Sequence, residues 1–210
     1  MENLQLLQTL NARMCHDLVS SVSTIDNCLS LVDTNNKSIS KKAKILLVEE
    51  ADHLIKKIKL FRSAYGSSGT ESHMSMVSFI NSLKEFFLST KVELKIIPEG
   101  EVESFNNLLA KACIALAALA SEHINSNGTI EMVFYGQSSN IFMKIIASSN
   151  ESLRDKFESS VMIFNSQNEL PVNVTNCREH YINTLCNKIG YKVQVDRKEE
   201  VLEYSIALIE

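Results

Sequence analysis

The sequence predicts a two-part α and α+β architecture, with a helical hairpin over residues 1–66 and an α/β sandwich over residues 72–210. Three observations carry this reading. Two long N-terminal segments space their apolar residues in alternating steps of three and four, as a helical packing seam requires. A Gly66-Ser67-Ser68-Gly69-Thr70 run then breaks the pattern. Beyond it, strand-like alternation and helical spacing take turns to the end of the chain.

The first helix is expected from about Asn3 to Val32, with Leu4, Leu7, Met14, Leu18, Ile25 and Val32 as its seam. Asp33-Thr34-Asn35-Asn36 makes a turn and supplies polar caps for a second helix, Ser38 to Tyr65, whose seam is Leu47, Ala51, Leu54, Ile58, Phe61 and Tyr65. Two such helices cannot cover both faces of their seams alone. A homodimer is therefore expected, its two hairpins dimerising into a four-helix bundle, with a hairpin packed only on the rest of its own chain as the alternative.

In the second part the expected order is a helix at Val77–Leu88, a strand at Val92–Ile97 ended by Pro98, and a helix at Ser104–Ile124. A hairpin follows, Thr129–Tyr135 and Asn140–Ala147, turned through residues 136–139. Helices at Ser152–Asn165 and Val174–Ile189 and strands at Tyr191–Asp196 and Leu202–Leu208 complete a mainly antiparallel sandwich.

Composition excludes several classes of function. Two prolines, six glycines and no tryptophan in 210 residues argue against a loop-rich or all-β protein, and 45% hydrophobic content supplies an ordinary core. Net charge is −4, with residues 1–66 slightly basic and the remainder acidic, so no nucleic-acid partner is expected. The basic residues gather on the second helix, from Lys37 to Arg62, either as a solvated face or to steer an acidic partner. Cysteines 15, 28, 113, 177 and 186 are odd in number and form no CxxC pair, and no signal-peptide pattern opens the chain. Reduced thiols and a cytoplasmic protein are expected. The longest apolar run, Ala112–Ala120, is about half of what a membrane span needs, so no membrane is expected.

Chemistry concentrates at Arg13-Met14-Cys15-His16-Asp17-Leu18-Val19-Ser20. With Leu4 at heptad position a, His16 falls at f, pointing away from a partner helix, and Cys15 at e, in flank packing. Residues three and four away share its face: Thr9, Ala12, Arg13, Val19, Ser20, Ser23 and Asn27. These are nearly all small or polar, so another protein's backbone could approach, and Arg13 lies one turn away to attract a phosphoryl group. A neutral imidazole is a good nucleophile near pH 7, and its phosphoramidate is labile enough to pass the group to a carboxylate. Ser20 could hydrogen-bond that group or bond back to the His16 carbonyl. Asp17 lies about 100° around the helix, so contact with the imidazole is not guaranteed by spacing.

Ala12-Arg13-Met14-Cys15-His16-Asp17-Leu18-Val19-Ser20, with Phe61-Arg62-Ser63-Ala64-Tyr65-Gly66 at the end of the second helix, resembles the ChpT-type histidine phosphotransferases of alphaproteobacterial cell-cycle phosphorelays. The likeness in layout extends over essentially all 210 residues. It implies that the second part is a degenerate histidine-kinase ATPase-like domain, and that Asp17 orients the imidazole or acts as a base, a surface charge being its alternative. It implies relay of phosphoryl groups through His16 between receiver-domain aspartates of a hybrid histidine kinase and of response regulators, with Mg²⁺ held by those receivers and no cofactor bound by this chain. Ser21 stands where that family and many kinases put proline, which bears on how a receiver docks.

An active kinase of this layout would need an Asn-rich helix and a DxGxG loop. The corresponding helix reads Leu109-Ala110-Lys111-Ala112-Cys113-Ile114-Ala115-Leu116-Ala117-Ala118-Leu119-Ala120, and no glycine occurs between Gly136 and Gly190, so no glycine-rich phosphate loop can form there. Cys177, His180 and Cys186 offer at most two metal ligands on one helical face, and His53, His73 and His123 read as surface residues. The expected function is a dimeric histidine phosphotransferase without ATP-dependent autokinase activity. An ATP-dependent kinase core and a non-enzymatic dimeric adaptor are its rivals.

Overall fold

The computed structural model of the chain describes residues 2–67, 72–124, 127–137, 140–149, 153, 157–165 and 170–209. Two antiparallel helices, α1 (Glu2–Val32) and α2 (Lys37–Tyr65), form the hairpin. Asn36 starts α2 as the polar turn requires, its side-chain oxygen accepting the backbone N–H of Ser38 at 3.1 Å and of Ile39 at 3.3 Å. Ser21, Cys28, Ala43, Phe61 and Ala64 are buried, with Met14, Leu18, Ile25, Val32, Leu47 and Leu54 half-buried.

Within a single chain the first residues of the expected α1 seam are left uncovered. Leu4 and Leu7 are 61% and 54% exposed, while Leu6 and Leu10 are buried against Cys177, with Met14, Tyr65, Val172 and Tyr181 around them. The first turns of α1 meet a helix of the second part as well as α2, and that contact covers Leu6 and Leu10. Ile58, also assigned to the seam, is 48% exposed. Cys15 is exposed within the chain.

The second part comprises β1 (His73–Ser75), α3 (Met76–Phe87), β2 (Glu93–Glu99), β3 (Ser104–Asn106), α4 (Asn107–His123), β4 (Thr129–Gln137), β5 (Asn140–Ser148), α5 (Phe157–Asn165), α6 (Cys177–Lys188), β6 (Tyr191–Lys198) and β7 (Val201–Leu208). Five strands lie in the order β2-β4-β5-β7-β6, parallel only between β2 and β4, and β1 pairs with β3 separately. Strand β2 continues through Pro98 to Glu99 instead of ending there, because an edge strand leaves one side of its backbone unpaired and tolerates a missing N–H. The pair β1 and β3, three residues each, is too short to leave a periodic signal in the sequence.

Helix α4 packs on α2, α6 and the sheet, and every residue from Leu109 to Ala120 is buried. The two parts are tied at the end of the hairpin. Tyr181 donates its hydroxyl to the Ala64 carbonyl at 2.9 Å, its ring meets Tyr65 at 5.2 Å, and Lys111 Nζ donates to the Gly66 carbonyl. Gly66 is needed there, because a Cβ would sit 2.4 Å from the Arg62 carbonyl oxygen. Of the linker at 66–70, residues 68–70 lie outside the described residues, as does residue 152, where the helix before Asn165 was expected to start.

His123 is not at the surface: it is 2% exposed, with Nδ1 2.6 Å from the Tyr204 hydroxyl. His53 is half-buried, with Nδ1 3.0 Å from Ser89 Oγ; burial and the neighbouring Lys57 lower its pKa. Among the described residues no helix is long and apolar enough to cross a membrane, and no three His, Cys, Asp or Glu side chains gather to hold a metal. Cys177 and Cys186 are buried packing residues, and burial pushes the Cys186 thiol up to about 12.

Candidate functional site

Four turns into α1, His16 projects to solvent with its side chain 76% exposed. On the surrounding face Ala12, Val19, Ser20, Ser23 and Asn27 are exposed and Thr9 and Arg13 half-buried, so the approach is open. Thr24 Oγ1 takes the carbonyl of Ser20 at 3.1 Å. Ser21, in the place of the family's proline, is 5% exposed and faces the interior, away from His16.

Asp17 comes within reach of the imidazole: His16 Nδ1 lies 3.4 Å from Asp17 Oδ1. The Asp17 side chain is 13% exposed against 76% for His16, so a sheltered carboxylate flanks an open ring. A carboxylate can only accept, and a contact at Nδ1 therefore favours the tautomer with hydrogen on Nδ1, leaving the Nε2 lone pair outward. Arg13 holds the other carboxylate oxygen, its Nε donating to Asp17 Oδ2 at 3.1 Å. From α2, Lys57 Nζ donates to the Asp17 backbone carbonyl at 3.3 Å.

Arg13, expected to attract a phosphoryl group, also reaches the sandwich. Its Nη2 lies 3.6 Å from Glu122 Oε2, and Arg178 holds Glu122 in a two-pronged pair, Nη1 to Oε1 at 2.5 Å and Nη2 to Oε2 at 2.7 Å. Burial opposes ionisation of Glu122, but the hydrogen bonds and charge of Arg178, joined by Arg13, outweigh it and hold its carboxyl below the usual range. Sequence reasoning missed Lys57, Glu122 and Arg178. Nothing in their spacing links positions 57, 122 and 178 to 16, because only the packing of α2 and α6 on α1, with α4 packed on both, brings them there.

No protein-family profile matches the sequence, and no curated protein matches it. Solved structures do. A bacterial phosphotransferase superposes with a TM-score of 0.83 over 98% of this chain and 97% of its own, at 20% identity. The histidine kinase ThkA, solved in complex with the response regulator protein TrrA, matches with a TM-score of 0.50 over 99% of this chain and 63% of its own, at 15% identity. The hairpin and the α/β sandwich together therefore have, over nearly the whole length of this chain, the fold of a bacterial phosphotransferase.

Proposed function

We propose that this protein is a histidine phosphotransferase that relays phosphoryl groups between receiver-domain aspartates through His16. The observation that carries the reading is the pairing of an open imidazole with a sheltered carboxylate at Nδ1. The Nε2 lone pair attacks the phosphorus of a receiver aspartyl phosphate, the bond from phosphorus to the carboxylate oxygen breaks, and the receiver carboxylate keeps the electron pair. The Nδ1 proton stays in place, and Asp17 stabilises the positive charge that develops on the ring. In the onward step a second receiver's carboxylate oxygen attacks phosphorus, the P–N bond breaks, and its electron pair returns to Nε2. Because each step exchanges one high-energy linkage for another, positioning supplies most of the catalysis. In this reading Mg²⁺ belongs to the receivers, and Ser20 stands one turn from the ring to meet the phosphoryl oxygens.

The same reading makes the protein a homodimer. Beside the buried seam, α1 carries an outward stripe of Leu4, Leu7, Cys15, Val22 and Leu29, edged by half-buried Leu18, and α2 one of Val48, Ile55 and Ile58, edged by half-buried Ala51. Val48 is 65% exposed, Ile55 55% and Val22 52%, too much apolar surface along one hairpin to leave in water. Pairing two hairpins along these stripes builds a four-helix bundle with His16 on the order of 140° around α1 from the contact.

The partners expected are receivers of a hybrid histidine kinase and of response regulators, in the cytoplasm. The test is incubation with a ³²P-phosphorylated receiver: label should move to the wild-type protein, not to His16→Ala, and none should arrive from Mg-ATP. Transfer to His16→Ala would refute the reading, and labelling from ATP would favour a kinase, which the apolar α4 opposes. No transfer from any receiver would leave the adaptor as the better account.

A further inference from the structure

The ion chain that begins at Asp17 does not end in the hairpin. Asp17 on α1, Arg13 on α1, Glu122 on α4 and Arg178 on α6 alternate in sign, at 3.1 Å, 3.6 Å and 2.5–2.7 Å along the chain. Both ends are sheltered, with the Arg178 side chain 11% exposed and that of Asp17 13%. Glu122 Oε2 is the hinge of this arrangement, since it faces both arginines at once. Remove its charge, and two guanidinium groups share a partly dehydrated space without an anion between them. Arg13 would then leave its present geometry and take Asp17 Oδ2 with it.

We infer that Glu122 and Arg178 are positioning residues for His16, acting through Arg13 and Asp17, so that the α/β sandwich sets the reactivity of the histidine as well as offering surface to a partner. The inference deepens the phosphotransfer reading and rests on His16 being its nucleophile. Lys57 grips the Asp17 backbone from α2 and fixes the main chain rather than the carboxylate, while Glu179 faces Arg178 and His123 faces Glu122 from the sandwich side. Helix α6, which carries Arg178, packs on the hairpin and is also held within the sandwich, where its Glu179 accepts from Ser160 of α5 at 2.8 Å. The relay thus starts from packed helices and ends at a solvent-facing ring, as a preorganised site requires.

A small phosphoryl donor separates positioning from docking, because potassium phosphoramidate has no protein surface to recognise. Nε2 attacks its phosphorus, the donor's P–N bond breaks, and ammonia leaves. The rate of His16 labelling, followed by intact mass and ³¹P NMR with His16→Ala as the blank, is compared in wild type, Asp17→Asn, Glu122→Gln and the exchanged pair Glu122→Arg with Arg178→Glu. Thermal melting is followed in each. The exchanged pair restores an ion pair between α4 and α6 but sets an arginine against Arg13, so a structural role is rescued and a positioning role is not.

Glu122→Gln and the exchanged pair should both label about tenfold more slowly, in the direction of Asp17→Asn, with melting within a few degrees of wild type. Wild-type rates in both variants, or slowing only in a variant that has lost stability, would overturn the inference. So would rescue by the exchanged pair. If His16 labels with phosphoramidate in this pattern but accepts nothing from any receiver, the relay reading fails and the inference stands. If wild-type His16 does not label at all, both fall.

Discussion

Helices α1 and α4 are both rich in apolar residues, yet they spend them in opposite ways. In α4 every residue from Leu109 to Ala120 is buried, including Lys111, whose ammonium is turned to the Gly66 carbonyl at the end of the hairpin. In α1, among the described residues, Leu6, Leu10, Ser21 and Cys28 are buried, Met14, Leu18, Ile25 and Val32 are half-buried, and most of the remaining positions face water. A helix covered on all sides has no face left for chemistry. The lesson is that reactivity here belongs to the element whose packing is incomplete, and that α4 contributes to the site only from its last turn, where Glu122 emerges beside Arg13.

The sharpest way to break this comparison is to charge the uncovered face. Val22→Glu with Ile55→Glu should split the proposed dimer, because burying uncompensated carboxylates costs several kcal/mol, while the monomer keeps its fold since both side chains are more than half exposed within the chain. Sedimentation and circular dichroism check the two halves of that statement. A double variant that remains dimeric would place the contact elsewhere.

A smaller effect is expected from the covered helix. Leu116→Ala removes a side chain with no exposure, and should lower stability by about 2–5 kcal/mol in urea unfolding while labelling of His16 survives wherever the protein is folded. The same truncation at Leu29, 54% exposed, should cost little in the monomer.

The smallest effect is a matter of pH. The folded Glu122 carboxyl titrates below its usual 4.5, so its contribution to stability is present above that pH and is lost as the pH falls towards the folded value. Unfolding curves between pH 7 and pH 3 should therefore show an acid limb that is shallower in Glu122→Gln. An unchanged limb would mean that the carboxylate is not held by its arginines.

How much of this was legible in the sequence follows from the kind of interaction involved. The hairpin was, because heptad spacing from Met14 to Val32 and the Asn36 cap are local. The exposure of His16 was legible for the same reason. The burial of Leu6 and Leu10 against Cys177 was not, since it depends on where α6 arrives from far along the chain. His123 illustrates the same limit: a lone histidine near the end of an apolar helix reads as surface until Tyr204, on the last strand, closes over it. Arg13 was read as lying one turn from His16 to attract a phosphoryl group, and its pairing with Glu122 was not legible because the two have no relation in sequence.

In the relay proposed for this protein, a carboxylate at Nδ1 leaves Nε2 as the nucleophile. It is tested most directly by ¹⁵N and ³¹P NMR of protein labelled with ¹⁵N-histidine and phosphorylated by a receiver. The account predicts one phosphorus resonance coupled to Nε2 of His16, with hydrogen retained on Nδ1. A phosphoryl group on Nδ1 of His16, or on any of His53, His73, His123 or His180, would contradict it.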